Sequence, residues 1–232
     1  MTYLDHTQLA ALDGEWFRAR DPFPWVCAEQ LLTDEGYRDL RENLPDTTGF
    51  NAVFGRPRKY GQASHDRYTL EYKPWLKLPD SWQAFIDELK GPAYREFVAR
   101  MLGHDDFLLH FHWHYTPQGC SVSPHCDATW KLGSHIFYLN TEDDWQADWG
   151  GETLVLEDNG RFRYDSAPAF EDFDASYGCP ALGNRSLLFM RRDHSWHGVR
   201  AIQCPEGRLR KVLIVEFRQK SVVQRARTLF GI

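Results

Sequence analysis

The sequence contains no apolar run that approaches the ~20 residues required for a membrane-spanning helix. Its first residues, MTYLDHTQLAALDGEW, have neither the basic stretch nor the apolar core of a secretory signal peptide. A net charge of −6 at pH 7 also lacks the basic excess that nucleic-acid-binding proteins normally have. We therefore expect a cytoplasmic protein that binds neither membranes nor nucleic acid.

Signals for cysteine pairing are missing as well. The five cysteines are odd in number and show neither paired spacing nor the spacing of a zinc site: Cys27, Cys120, Cys126, Cys179 and Cys204. We expect no disulfide framework and a reducing compartment.

The 232 residues are enough for a single domain with a well-buried core. Residues 1–103 are predicted to be a mixed, mainly helical part. Apolar residues at helical spacing predict a helix within residues 2–20. Thr33 and Ser81 are predicted helix N-caps, and Gly103 is predicted to end the last helix.

The character of the sequence changes after Gly103. Residues 104–220 contain short segments rich in β-branched and aromatic residues, separated by turns: FLLHFHWHY, HIFYLN, GETLVLE, RSLLFM and RKVLIVEF. This pattern predicts an antiparallel jelly roll, the double-stranded β-helix, in a mainly β chain with helical N-terminal support (α+β). Residues 157–160 (EDNG) predict a hairpin turn, and residues 221–232 a C-terminal helix or tail.

A candidate metal site lies in the stretch SPHCDATW. His125 and Asp127 are two positions apart, so on a strand both point to the same side. The later segment DHSWHGV offers His194 and His197 as a third ligand. Two histidines and one carboxylate form the facial triad of non-haem Fe(II) oxygenases, which leaves metal positions open. The H-x-D sequence by itself is equally typical of a polar turn.

The order of several motifs resembles the 2-oxoglutarate- and Fe(II)-dependent dioxygenases, in particular their prolyl-4-hydroxylase-like branch. The resemblance spans residues 107–218 and rests on Tyr115, ten positions before His125, GC (119–120), PHCD (124–127), GGET (150–153), NRSLLFM (184–190), WHGV (196–199) and RKVLIVEF (210–217). It implies His125, Asp127 and His197 as the Fe(II) ligands, with His194 as the competitor for the third place.

The same resemblance implies a site for the distal carboxylate of 2-oxoglutarate. Arg210 matches the family position, and the planar guanidinium suits two-point binding of a carboxylate. Arg208, on the same strand face but nearer the turn, is the second candidate. Tyr115 is expected to border the cosubstrate, although a buried core tyrosine is nearly as consistent with the sequence.

Three histidines alternate with aromatic residues along FLLHFHWHY. Only one face of this strand can line the pocket. Because Tyr115 matches the family, the face of Phe111, Trp113 and Tyr115 is predicted to line it. His110, His112 and His114 are then predicted to point away, under the N-terminal helices or into solvent.

The implied activity is hydroxylation of a C–H bond with O₂ and 2-oxoglutarate, yielding succinate and CO₂, with ascorbate as a stimulant. The expected substrate is a small molecule or a peptide; its identity and the oligomeric state do not follow from the sequence. The loop 141–149 could form a lid that prefers a cationic or aromatic compound, and segment 158–183 has no assigned role. The alternative is a non-catalytic or cupin-type metal-binding jelly roll that does not use 2-oxoglutarate.

Overall fold

The computed structural model describes residues 1–221. The helix or tail predicted for residues 221–232 therefore lies, apart from Ser221, outside the described residues. Within residues 1–221, no helix has both the length and the apolar composition needed to cross a bilayer.

The described α-helices all lie before residue 103. They are α1 (His6–Ala11), α2 (Gly14–Arg18), α3 (Asp34–Glu42), α4 (Asp80–Lys90) and α5 (Pro92–Leu102). The helix predicted within residues 2–20 is divided in two, because the side chain of Asp13 accepts hydrogen bonds from the next helix's first backbone N–H groups.

The predicted helix boundaries are partly confirmed. Thr33 caps α3, since its hydroxyl accepts a hydrogen bond from the Gly36 N–H at 3.1 Å. Gly103 ends α5 with a φ of 82°, a conformation that favours glycine. The Ser81 prediction is wrong by two residues: α4 begins at Asp80, and Pro79 occupies the cap position.

The strands form two antiparallel sheets, as predicted for a double-stranded β-helix. In chain order they are β1 (Trp25–Glu29), β2 (Asn51–Val53), β3 (Arg67–Glu71), β4 (Leu108–Pro117), β5 (Val122–His125), β6 (Lys131–Tyr138), β7 (Thr153–Glu157), β8 (Ala175–Cys179), β9 (Arg185–Met190), β10 (His197–Val199) and β11 (Leu209–Arg218). The larger sheet has the order β1-β9-β6-β11-β4-β3-β2, and the smaller one β5-β10-β7-β8.

The two faces of the β4–β11 pair have different environments. One face lines the cavity between the sheets and carries His112, His114, Thr116, Arg210, Val212 and Ile214. The other face packs under α4 and α5, where Trp113 contacts Trp82 with ring centroids 5.3 Å apart.

The prediction that the aromatic face of β4 lines the pocket is therefore wrong. Large apolar rings gain most by burial against the aromatic residues of the helices. The layer beneath the helices takes Phe111, Trp113 and Tyr115 for this reason. His112 and His114 face the cavity instead.

The hairpin predicted at residues 157–160 does not form. A turn is present, with the Arg161 N–H donating to the Asp158 carbonyl at 3.0 Å. However, β7 pairs with β8, which begins only at Ala175. The intervening segment folds over the smaller sheet, because Phe162 and Phe173 pack against Trp196.

The expectation of no disulfide framework has to be corrected, because one disulfide is present. Cys27 of β1 and Cys179 of β8 form a disulfide across a sequence separation of 152 residues. The bond joins the larger sheet to the smaller one, and only the folded topology brings these residues together. The argument for a reducing compartment loses its support with this pairing.

Loss of this disulfide should destabilise the fold. A cross-link over so long a separation restricts the unfolded chain, so Cys27→Ser should lower the free energy of unfolding by about 2–4 kcal/mol. Urea denaturation without reductant measures the change. Cys120→Ser, at a free and partly exposed cysteine, is the control, and equal midpoints for the two variants would contradict the prediction.

Candidate active site

Three buried side chains meet where the smaller sheet faces the cavity. His125 ends β5, Asp127 follows two residues later, and His197 begins β10 directly opposite His125 in the strand register. One ligand atom from each residue lies within 4.8 Å of the other two. His194 is exposed on the turn before β10 and is not part of this group.

The backbone fixes the same tautomer in both histidines. The Nδ1 atom of His125 donates to the carbonyl of Ser123, and Nδ1 of His197 donates to the carbonyl of Ser195, each at 3.0 Å. A carbonyl can only accept, so each Nδ1 carries the proton and each Nε2 keeps a lone pair. Orientation of a ligand imidazole by a second hydrogen bond is typical of protein metal sites.

Electrostatics keep both rings neutral. Burial, together with the neighbouring His197 ring, lowers the pKa of His125 well below its ordinary value, and burial likewise lowers the pKa of His197. A metal requires unprotonated imidazole nitrogens. Two such nitrogens and the Asp127 carboxylate are a donor set that fits a non-haem Fe(II) ion.

Arg210 is a buried cation at another part of the same cavity wall. It is 4% exposed, its Nε donates to the Gly151 carbonyl, and its Nη2 donates to the Thr153 hydroxyl at 3.0 Å. The Tyr138 hydroxyl also donates to Thr153, at 2.8 Å. Among residues 1–221, no carboxylate forms an ion pair with Arg210, so its charge is available to a ligand anion.

The glycine pair of GGET permits this arrangement. Gly151 has a φ of 91°, and a Cβ atom there would lie 3.1 Å from Cδ of Arg210. Glycine is therefore required both by the backbone conformation and by the close approach of the arginine.

The triad and Arg210 line one cavity of about 400 Å³ between the sheets. Its charged lining residues are Arg58, Arg67, Asp127, Lys131, Arg210 and Glu216. The remaining wall includes apolar side chains such as Ile136 and Phe189. A volume of this size is typical of a small-molecule site.

Residues 109–217 match the family model described as the 2OG-Fe(II) oxygenase superfamily. The match places these residues in that superfamily. The resemblance inferred from the motifs is thereby confirmed, and residues 109–217 are called the oxygenase core below. A comparison with curated proteins finds no match.

Solved structures share the architecture of most of this chain. A Pseudomonas putida prolyl-4-hydroxylase has a TM-score of 0.63 at 16% identity, with 92% of this chain and 100% of that chain covered. The carbocyclase SnoK from nogalamycin biosynthesis has a TM-score of 0.61 at 13% identity, covering 91% and 86%. A Trichoplax adhaerens prolyl hydroxylase, in complex with a hypoxia inducible factor peptide, has a TM-score of 0.56 at 13% identity, covering 95% and 89%. At these identities the likeness concerns the fold.

Within the oxygenase core, Tyr115 does not line the cavity, contrary to the prediction from the sequence. Its side chain is on the helix-facing side of β4, with its ring 4.5 Å from that of Phe50. Its hydroxyl has no hydrogen-bond partner among the described residues. The expectation that Tyr115 borders the cosubstrate is therefore wrong; the tyrosine next to Arg210 is Tyr138.

The loop 141–149 does not form a lid. Trp145 is 1% exposed and its indole N–H donates to the Gly150 carbonyl at 2.9 Å. The Asp144 carboxylate contacts Nζ of Lys211 at 2.7 Å, on the side of β11 away from the cavity. Asp144 is thus paired within the fold, and no residue of the loop lines the cavity, so the expected preference for a cationic or aromatic compound has no support from this loop.

Lys131 connects the triad to the larger sheet, a role that sequence reasoning missed. Its Nζ contacts Asp127 at 3.0 Å and Glu216 at 2.6 Å. Although burial opposes it, these two carboxylates raise the pKa of Lys131. Lys131 comes four residues after Asp127, across a turn, and Glu216 is distant in sequence, so no local pattern reveals the bridge.

Removal of the Lys131 charge should destabilise the metal-free protein. Lys131→Met leaves Asp127 without its cation, so we expect the free energy of unfolding to fall by at least about 2 kcal/mol. This is less than the ~3–5 kcal/mol of a fully broken buried ion pair, because Arg218 still contacts Glu216. Urea unfolding measures the loss. Lys73→Met, which breaks the more exposed Lys73–Glu71 pair, should cost at most about 1 kcal/mol. Similar losses for both variants would contradict the bridging role.

Proposed function

We propose that this protein is a non-haem Fe(II)- and 2-oxoglutarate-dependent dioxygenase. It hydroxylates an unactivated C–H bond of a small molecule, an amino acid or a peptidyl residue, and releases succinate and CO₂. The observation that carries the proposal is the presence of the His125–Asp127–His197 group and the unpaired, buried Arg210 in one cavity.

The three ligands would hold Fe(II) on one face through the Nε2 atoms of His125 and His197 and a carboxylate oxygen of Asp127. When bound, Fe(II) supplies the centre at which 2-oxoglutarate chelates and O₂ is activated. Lys131 holds the Asp127 carboxylate in place through its 3.0 Å contact.

Arg210 would bind the distal carboxylate of 2-oxoglutarate. Its hydrogen bonds to Gly151 and Thr153 fix the guanidinium plane, and Tyr138 fixes the Thr153 hydroxyl in turn. A pre-oriented guanidinium loses little entropy when it binds a carboxylate at two points. The cosubstrate is then positioned by the chain at one end and by the metal site at the other.

A cupin-type protein that does not use 2-oxoglutarate is the alternative. Such a protein would have no use for a buried guanidinium that lacks a carboxylate partner, and burial of an unpaired charge is costly. A non-catalytic module would have no need of two histidines held in the same ligand tautomer. Arg210 and the histidine tautomers therefore support the dioxygenase.

The metal ligands can be separated by mutation. His125→Ala, Asp127→Ala and His197→Ala should each abolish high-affinity Fe(II) binding, because each removes one of three ligands. Anaerobic equilibrium dialysis measures binding, and circular dichroism checks that the fold is kept. His194→Ala, at an exposed site, is the matched control. Retained affinity in His197→Ala with loss in His194→Ala would move the third ligand; retention in both would remove the triad.

The cosubstrate site gives a second test. Arg210→Ala and Arg210→Lys should both raise the 2-oxoglutarate concentration for half-saturation at least ~100-fold, because lysine keeps the charge but lacks the planar fork. The measurement is an anaerobic titration of the charge-transfer absorbance between Fe(II) and 2-oxoglutarate. Fe(II) affinity without the cosubstrate should be unchanged.

Arg208→Ala is the control for this titration, since Arg208 is exposed in the turn before β11. A normal titration for Arg210→Ala and a lost one for Arg208→Ala would shift the site by two residues. Normal titrations for every variant would favour the protein that does not use 2-oxoglutarate. Stimulation of turnover by ascorbate is a further expectation for the wild type.

A further inference from the structure

Two more arginines line the active-site cavity. Arg58 lies in the loop between β2 and β3, and Arg67 is the first residue of β3. The triad and the Arg210 site leave both of them without a role. They also lie outside the oxygenase core.

Both guanidiniums have neutral partners only. Nε and Nη2 of Arg58 lie 3.4 Å from Oε1 of Gln62, and Nη1 of Arg67 donates to the His65 carbonyl at 2.6 Å. The Nε atom of Arg67 is buried and has no hydrogen-bond partner in the described part of the chain. Within residues 1–221, neither arginine forms an ion pair with a carboxylate.

This arrangement is unfavourable in the ligand-free protein. Burial lowers the pKa of both arginines, and repulsion from Arg58 lowers that of Arg67 further. Two like charges, partly removed from water and without an ion-pair partner among the described residues, are expected at a place where an anion binds.

The positive charge extends toward the metal ligands. The carbonyl of His65 accepts the hydrogen bond from Nη1 of Arg67. The His65 ring lies 4.6 Å from the ring of His125, between centroids. An anion held by these arginines would therefore lie beside the triad.

The other charges of the cavity are already matched. Lys131 and Glu216 form an ion pair. The two positive charges of Fe(II) and that of Arg210 are balanced by Asp127 and the two carboxylates of 2-oxoglutarate. Among the charged lining residues of the described chain, Arg58 and Arg67 are then the ones left without an ion-pair partner.

We propose that the substrate is a small oxyanion, whose carboxylate or phosphate group is bound between Arg58 and Arg67 beside the metal ligands. This inference rests on the proposed function. A cavity of about 400 Å³ that also receives 2-oxoglutarate has room for a small compound or a single side chain. The hydroxyls of Thr69 and Thr116, which line the same cavity, offer further polar contacts.

Two residues that follow Arg58 in the β2–β3 loop contact the segment that follows β7. Gln62, its partner, is 9% exposed and donates to the Ser166 carbonyl at 3.1 Å. Tyr60 contacts Tyr164, with ring centroids 6.4 Å apart. The β2–β3 loop is thus attached to the segment that follows β7, and its arginine is a positioned group.

The test is a binding measurement without turnover. The anaerobic complex with Fe(II) and 2-oxoglutarate is titrated calorimetrically with benzoate, phenyl phosphate and the neutral benzamide. At least one anion should bind ten-fold or more tightly than benzamide, and the stronger of the two identifies the group. Arg58→Gln and Arg67→Gln should each weaken that anion at least ~10-fold, with benzamide unaffected. Arg56→Gln, exposed in the same loop, should behave as the wild type.

Several results of these titrations would contradict the inference. Benzamide binding as tightly as the anions, no anion binding by the wild type, or wild-type anion affinity in Arg58→Gln and Arg67→Gln would overturn the inference. So would a raised 2-oxoglutarate requirement in these two variants, because the arginines would then belong to the cosubstrate site. Failure of the proposed function differs: wild-type protein would show no 2-oxoglutarate titration while the anion titrations remain.

Discussion

The pairing of β11 with strands on both sides governs the rest of this structure. β11 is the central strand of the larger sheet and is hydrogen-bonded to β4 and β6 along most of its length. Side chains alternate between the two faces of a strand. One face must therefore pack under the helices, and the other must enter the cavity. Arg210 and Glu216 share the cavity face because they are six positions apart, and both reach partners on other strands.

This alternation explains which parts of the site the sequence could reveal. His125, Asp127, His197 and Arg210 could be selected from the sequence because their motifs combine local spacing with a family order, and the structure brings them to one cavity. Tyr115 was misplaced because strand periodicity gives two faces without saying which one is covered by helices. The face of β4 that is covered is decided by the packing of Trp113 against the aromatic residues of α4. This packing is a tertiary contact, which strand periodicity does not reveal.

Contacts between segments that are distant in sequence could likewise not be predicted. The Cys27–Cys179 disulfide and the Lys131–Glu216 pair each join residues that are brought together by strand order. Arg58 and Arg67 lie in a basic stretch, RPRKYGQASHDR, that also has the composition of an ordinary surface loop. Only the fold shows that two of its arginines line the cavity without carboxylate partners. The jelly roll itself was predictable because turn-separated β segments have few other stable arrangements.

The residues proposed for the chemistry and those proposed for substrate selection come from different parts of the chain. The proposed metal ligands and Arg210 belong to residues 109–217, whereas Arg58, His65 and Arg67 come before that segment. The core holds groups that every reaction with Fe(II) and 2-oxoglutarate would need. The β2–β3 loop adds charge next to the His125 ring without contributing a ligand. On this proposal, a change in this loop alters which compound binds and leaves the proposed metal and cosubstrate sites intact, since neither site depends on a hydrogen bond from Arg58 or Arg67.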